Sequence, residues 1–212
     1  MRGLLLKDLY TLKRTVSWVY LFPLVVIFIC GSADIAFLSA TAMLVFSLFA
    51  GFALYSIMYA EENSNWGRYV KAIPVDAKVV TAEKYVMGAI LLGVALIIDV
   101  AVGMVFSQLG ISVSFLASMF LLALGLGVVY IAILIPSVLK FGASKGPVVF
   151  VGCIGCLMIV PIALNKIGLM EWALAAIADP AFQLVCGLLA PLVFVAVSYA
   201  VSSRVAKASL AG

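Results

Sequence analysis

Long, unbroken apolar runs alternate with short polar breaks along this chain. The runs fall at 15–31, 35–60, 85–106, 115–139, 148–164 and 182–203. None shows the two-residue alternation of a half-buried strand. Crossing a bilayer core takes about 20 apolar residues of helix. Lipid cannot satisfy free backbone N–H and C=O groups, so a span must be a helix or part of a closed barrel. Continuous runs select the helix. The pattern predicts an all-α membrane protein, a single transmembrane domain over residues 1–212 with six transmembrane helices.

Two polar stretches interrupt this scheme. In the first, 1–14, Leu5, Leu9 and Leu12 recur at helical spacing, with Leu4 and Leu6 widening the face. Lys7, Thr11 and Arg14 occupy the opposite face. The spacing predicts an amphipathic elbow helix lying in the membrane interface before the first span, or else a plain extension of that span. The second, 61–84, is the one long hydrophilic stretch. Asn63 and Ser64 are good N-caps. Trp66, Tyr69, Val70 and Ile73 then follow at i, i+3, i+4 and i+7, one helical face. Arg68 and Lys71 lie on another. Pro74 ends the turn, and Asp76 can cap the next helix. Rings on such a segment must rest on lipid, as interfacial aromatics do, or on a protein partner.

Composition agrees with the apolar runs. The chain is 67% hydrophobic and 10% charged, where a soluble domain carries about a quarter charged residues. Charge then sets the topology. Arg2, Lys7, Lys13 and Arg14 precede the first span; Arg68, Lys71, Lys78 and Lys84 lie between the second and third. Lys140 and Lys145 lie between the fourth and fifth, and Arg204 and Lys207 follow the sixth. Only Lys166 falls on the other side. Cytoplasmic loops retain Lys and Arg, so both termini are expected in the cytoplasm. The net charge of +4 then meets anionic inner-leaflet lipid, and no nucleic acid is implied. The first apolar run is expected to be a retained helix, not a cleaved signal.

The chemistry of enzymes is missing. The chain has no histidine, which removes the commonest general base and metal ligand. It has no G-x-x-x-x-G-K-[ST] loop for ATP, no H-E-x-x-H and no G-x-S-x-G. Cys30, Cys153, Cys156 and Cys186 lie in or beside apolar runs, where neither zinc nor a disulfide framework is expected. No metal, cofactor or catalytic residue is therefore predicted in this chain. Asp99 is the one acidic residue well inside a run. A carboxyl there costs about 3 kcal/mol on insertion scales and faces protein or water. It either lines a substrate or proton path, or is protonated and hydrogen-bonded between helices or set nearer the outer headgroups, with the small residues Ala95 and Gly103 on its face. Pro136, Pro161 and Pro191 lie within or near the ends of runs and can kink their helices.

Three features together resemble a known family. They are the opening Leu4-Leu5-Leu6-Lys7-Asp8-Leu9-Tyr10, the Glu61-Glu62 pair ending the second run, and the segment Trp66-Gly67-Arg68-Tyr69-Val70-Lys71-Ala72-Ile73-Pro74-Val75, with Lys84-Tyr85 opening the third run. Over its first 85 or so residues the chain is similar to the membrane subunit of ABC type-2 exporters in their compact six-span bacterial form, among them exporters of peptides and antimicrobials. The resemblance implies a permease that pairs with a second permease subunit, identical or not. It also implies two separate cytoplasmic ATPase subunits that supply the ATP and magnesium chemistry. It makes Glu61, Glu62, Trp66, Arg68, Tyr69, Val70, Lys71, Ile73 and Pro74 the coupling site. The expected cargo is amphipathic or hydrophobic, such as a peptide, and the expected location is a bacterial plasma membrane. A stand-alone secondary transporter and a non-transporting sensor or immunity protein are the competing readings.

Overall fold

The computed structural model of the chain describes residues 2–15, 35–64, 66, 69, 70, 76–145, 148, 166, 168 and 189–211. The helices of three turns or more among them are α1 (Arg2–Thr15), α2 (Ile35–Asn63), α3 (Ala77–Gln108), α4 (Val113–Phe141) and α5 (Ala190–Ala211). Among the described residues, three stretches have the length and apolarity of membrane spans: Leu38–Asn63, Ala77–Gln108 and Val113–Phe141. They correspond to the runs expected at 35–60, 85–106 and 115–139. Among the described residues, then, three of the six expected spans are seen as long apolar helices. The run at 182–203 is described from residue 189, and its helix continues to Ala211, carrying Arg204 and Lys207 with it. The runs at 15–31 and 148–164, with Cys30, Cys153, Cys156 and Pro161, lie outside the described residues except for Thr15 and Val148, as does Cys186.

Each span helix outruns the apolar segment within it. α3 has 32 residues, about 48 Å at 1.5 Å per residue, against a hydrocarbon core of about 30 Å. Its ends therefore project into the polar zone. Asp76 caps it as expected, its carboxylate accepting from the Lys78 N–H at 3.2 Å. The end of α2 departs from expectation. Ser64 N–H donates to the Ala60 carbonyl at 3.0 Å, and the Ser64 hydroxyl donates to the Glu61 carbonyl at 3.0 Å. Asn63 and Ser64 thus close α2, not the N-terminus expected for the next segment. The apolar signal stops at Ala60, but the backbone ladder continues for another turn.

α2 lies between α3 and α4. It runs antiparallel to α3, so that Ser47 meets Asp99 and Glu61 meets Lys84. It runs parallel to α4, so that Gly51 meets Tyr130. Lipid tails are as apolar as leucine, so such helices hold together by close packing and hydrogen bonds. At Gly51 the approach is extreme: a Cβ would fall 1.7 Å from the Tyr130 ring. Leu54, Ile57, Met87, Leu134 and Ile135 form the main core toward the end where α1 lies. Met43, Phe106, Leu116 and Ala123 form a smaller one at the other end.

α5 supplies what α4 lacks. Pro136 sits inside α4 and has no N–H to give the carbonyl four residues back, that of Ala132. The Ser198 hydroxyl of α5 donates to that carbonyl instead. Tyr85 of α3 completes the link, its hydroxyl 2.6 Å from Ser198 Oγ and 2.9 Å from Ser202 Oγ.

Candidate functional site

Charged residues gather where α1 crosses the ends of α2 and α3. On α1, Leu5, Asp8 and Leu12 share one face at i, i+3 and i+7. Leu5 and Leu12 pack on the main core, so Asp8 is carried inward and is fully buried. Leu6, Leu9 and Tyr10 turn outward. The apolar face expected of the elbow is thus divided, one side against protein and the other exposed.

The last turn of α2 brings Glu61, and the second turn of α3 brings Glu83 and Lys84. Lys84, buried, places Nζ 3.0 Å from Asp8 Oδ2, 2.6 Å from Glu61 Oε1 and 3.5 Å from Glu83 Oε1. Lys7 Nζ lies 3.1 Å from Asp8 Oδ1 and also pairs with Glu61. The same ammonium sits 4.1 Å from the centre of the Trp66 ring, close enough for a cation–π contact. One carboxylate oxygen each from Asp8, Glu61 and Glu83 lie within 4.8 Å of one another. That arrangement would suit a divalent cation, but two ammonium groups share the space and neutralise two of the three negative charges.

Burial by itself pushes the Asp8 carboxyl up. Contact with the Glu83 carboxyl and the positive charges of Lys84 and Lys7 outweigh it, holding Asp8 below its ordinary value of 3.8. Glu83 is buried with no hydrogen-bond donor on either oxygen. A proton on Glu83 would convert it from a third negative charge into a donor toward Asp8.

Glu62 points elsewhere. Its carboxylate accepts from the Ala143 N–H, just past α4. Gly142 there has φ +84°, and a Cβ at that residue would stand 3.1 Å from the Glu62 carboxylate, so glycine serves both the backbone and the approach. The Tyr55 hydroxyl donates to the Ala143 carbonyl at 3.0 Å. Adjacent acids at the end of α2 therefore reach three other elements: Glu61 holds α1 and α3, and Glu62 holds the end of α4.

Of the segment beyond α2, Trp66, Tyr69 and Val70 are described, and all three are helical. Trp66 is half-buried over Lys7, with its ring 5.3 Å from that of Tyr69. Val70 is buried and Tyr69 is 60% exposed. The expected single aromatic face thus splits, Trp66 and Val70 inward and Tyr69 outward. Arg68, Lys71, Ile73 and Pro74 lie outside the described residues.

Asp99 stands 15 residues along α3 from Lys84, about 22 Å at the helical rise. It is fully buried. The Ser47 hydroxyl donates to its Oδ2 at 3.1 Å, and Oδ1 has no partner. Ala95 and Gly103 flank it as expected; Ala95 is buried, and a Cβ on Gly103 would touch Met43 at 3.0 Å.

A family model described as ABC-2 family transporter protein matches residues 3–207. The chain belongs to that family. Comparison with curated proteins found no match, and comparison with solved structures found none. The family match extends well past the first 85 residues on which the sequence resemblance rested.

In this ABC-2 protein the structure brings Glu61, Glu62 and Trp66 to the α1 end of the bundle, and adds Lys7, Asp8, Glu83 and Lys84, which sequence reasoning did not name as site residues. One signal was legible. Asp8 interrupts the Leu5–Leu12 face at helical spacing, and a carboxylate on an apolar face needs a buried cation. That the cation would be Lys84, 76 residues away, was not legible locally.

Proposed function

We propose that this ABC-2 family protein is the permease subunit of an ATP-driven exporter, with both termini and the α1 end of the bundle in the cytoplasm. Two such subunits, identical or not, would form the pathway in a bacterial plasma membrane. A separate ATP-binding-cassette subunit would dock on the segment after α2 and hold ATP and magnesium. Hydrolysis belongs to that partner, and this chain supplies no catalytic group. The cargo is amphipathic or hydrophobic, with peptides in the class. The family match supports the partnership, and the one-sided distribution of Lys and Arg supports the orientation.

The observation that carries the reading is the pair at the end of α2. Glu61 binds Lys84 and Lys7, while Glu62 binds Ala143 N–H. A push on the segment that follows is delivered at once to α1, α2, α3 and the end of α4. An ATPase can drive transport only through contacts that differ between its two states, and a rigid junction of four elements lets one docking contact move them together. Tyr69 is the outward contact; Trp66 holds the segment to α1.

Co-purification with the cognate ATPase tests this. Tyr69→Ala should abolish association while leaving the melting temperature of the permease unchanged. Trp66→Ala should weaken association and lower the melting temperature together. Undiminished association in Tyr69→Ala would remove the segment from the docking surface.

A further inference from the structure

Between α2, α3 and α4, near the end where α3 turns into α4, lies an open cavity of about 220 Å³. Met43, Val100, Met104, Leu116 and Phe120 give it apolar walls, and Asp99 is its one ionisable group. Asp99 is fully buried, its Oδ2 is taken by Ser47, and Oδ1 has no partner. Nine residues of α3, about 14 Å, separate Asp99 from Gln108, so the cavity lies in the half of the membrane opposite the Asp8–Lys84 cluster.

Beside a neutral or anionic molecule an ionised Asp99 would keep Oδ1 without a counter-charge in apolar surroundings, where unpaired carboxylates are costly. An ammonium group gives both the missing hydrogen bond and the missing charge, and an attached alkyl chain matches the walls. The five remaining acids among the described residues (Asp8, Glu61, Glu62, Glu83 and Asp76) all lie toward the other end.

We propose that this cavity binds a cationic amphiphile, a primary ammonium on an apolar chain, with Asp99 as its counter-ion and Met43, Val100, Met104, Leu116 and Phe120 as its apolar lining. This rests on the transport reading for its purpose and narrows the cargo to molecules that are positively charged as well as apolar. Its test is made on the permease alone, so a failed ATPase pairing would not alter the result.

The probe is radiolabelled dodecylammonium, with the full-length protein in phosphatidylcholine nanodiscs and empty nanodiscs subtracted. Wild type should show a saturable component displaced by unlabelled dodecylammonium and not by dodecanol or dodecyl sulfate. Asp99→Asn keeps the shape and the Ser47 hydrogen bond and should weaken binding by about tenfold or more. Ala117→Phe fills the cavity from its wall without touching the carboxyl and should abolish binding. Size-exclusion profiles establish that each variant is folded; should Asp99→Asn fail that check, Ala117→Phe and the dodecanol competition decide. Absence of saturable binding, equal competition by dodecanol, or wild-type binding by folded Asp99→Asn would each overturn the proposal.

Discussion

Asp8 and Lys84 show how far two residues can organise a helical membrane protein. Both are buried, and Lys84 binds Asp8 and Glu61 together, with Lys7 on the other side of Asp8 and Glu83 beside them. Removing one member of a buried pair strands the other's charge, typically at a cost of about 3–5 kcal/mol. Lys84→Met should therefore destabilise the protein by about that much, read as a lowered melting temperature in detergent, and Asp8→Asn introduced into it should recover part of the loss. The pH dependence has a definite sign. Asp8 titrates below its ordinary 3.8 in the folded state, so its stabilisation of the α1 contact is complete above pH 3.8 and is lost as the pH falls through the lower folded value. Spin labels at the exposed positions Tyr10 and Phe141 should report a constant α1-to-α4 distance at neutral and mildly acidic pH. That distance should lengthen only in strong acid.

At the scale of elements, proline and serine on different helices act as one unit. Pro136 frees the Ala132 carbonyl, and Ser198 of α5 takes it. Ser198→Ala should cost about 1 kcal/mol in the presence of Pro136. It should cost much less after Pro136→Ala, which restores a backbone N–H to that carbonyl; a double-mutant cycle in denaturant unfolding measures the difference. The middles of α2, α3 and α4 were legible because a continuous apolar run is a local property, and so was Asp76 as the cap of α3. The end of α2 was not: hydropathy falls away at Ala60, but hydrogen bonding carries the helix on to Asn63, which turns Glu61 and Glu62 from loop residues into paired clamps. Spacing alone assigned Lys7 to the polar face of α1. Only the folded bundle shows it covered by Trp66 and bonded to Glu61. Asp99 was legible as an unusual buried carboxyl; its cavity, built from three helices, was not.

At the scale of the whole molecule, the two polar features divide the bundle. The α1 end carries a dense ionic junction that ties four elements together, and the opposite half carries one carboxyl at the edge of an apolar cavity. If the junction moves as a unit and the cavity takes a ligand, as proposed, the bundle has the arrangement a driven transporter needs, with the spans between them as the link. Under the proposed function the face bearing Tyr69 is cytoplasmic and is covered by an ATPase. With Cys30, Cys153, Cys156 and Cys186 replaced by serine, Tyr69→Cys can be labelled with a membrane-impermeant maleimide in intact cells and in inside-out vesicles. Labelling in the vesicles alone, suppressed when the cognate ATPase is bound, is the predicted result; labelling in intact cells, or labelling that the ATPase leaves undiminished, would contradict the account.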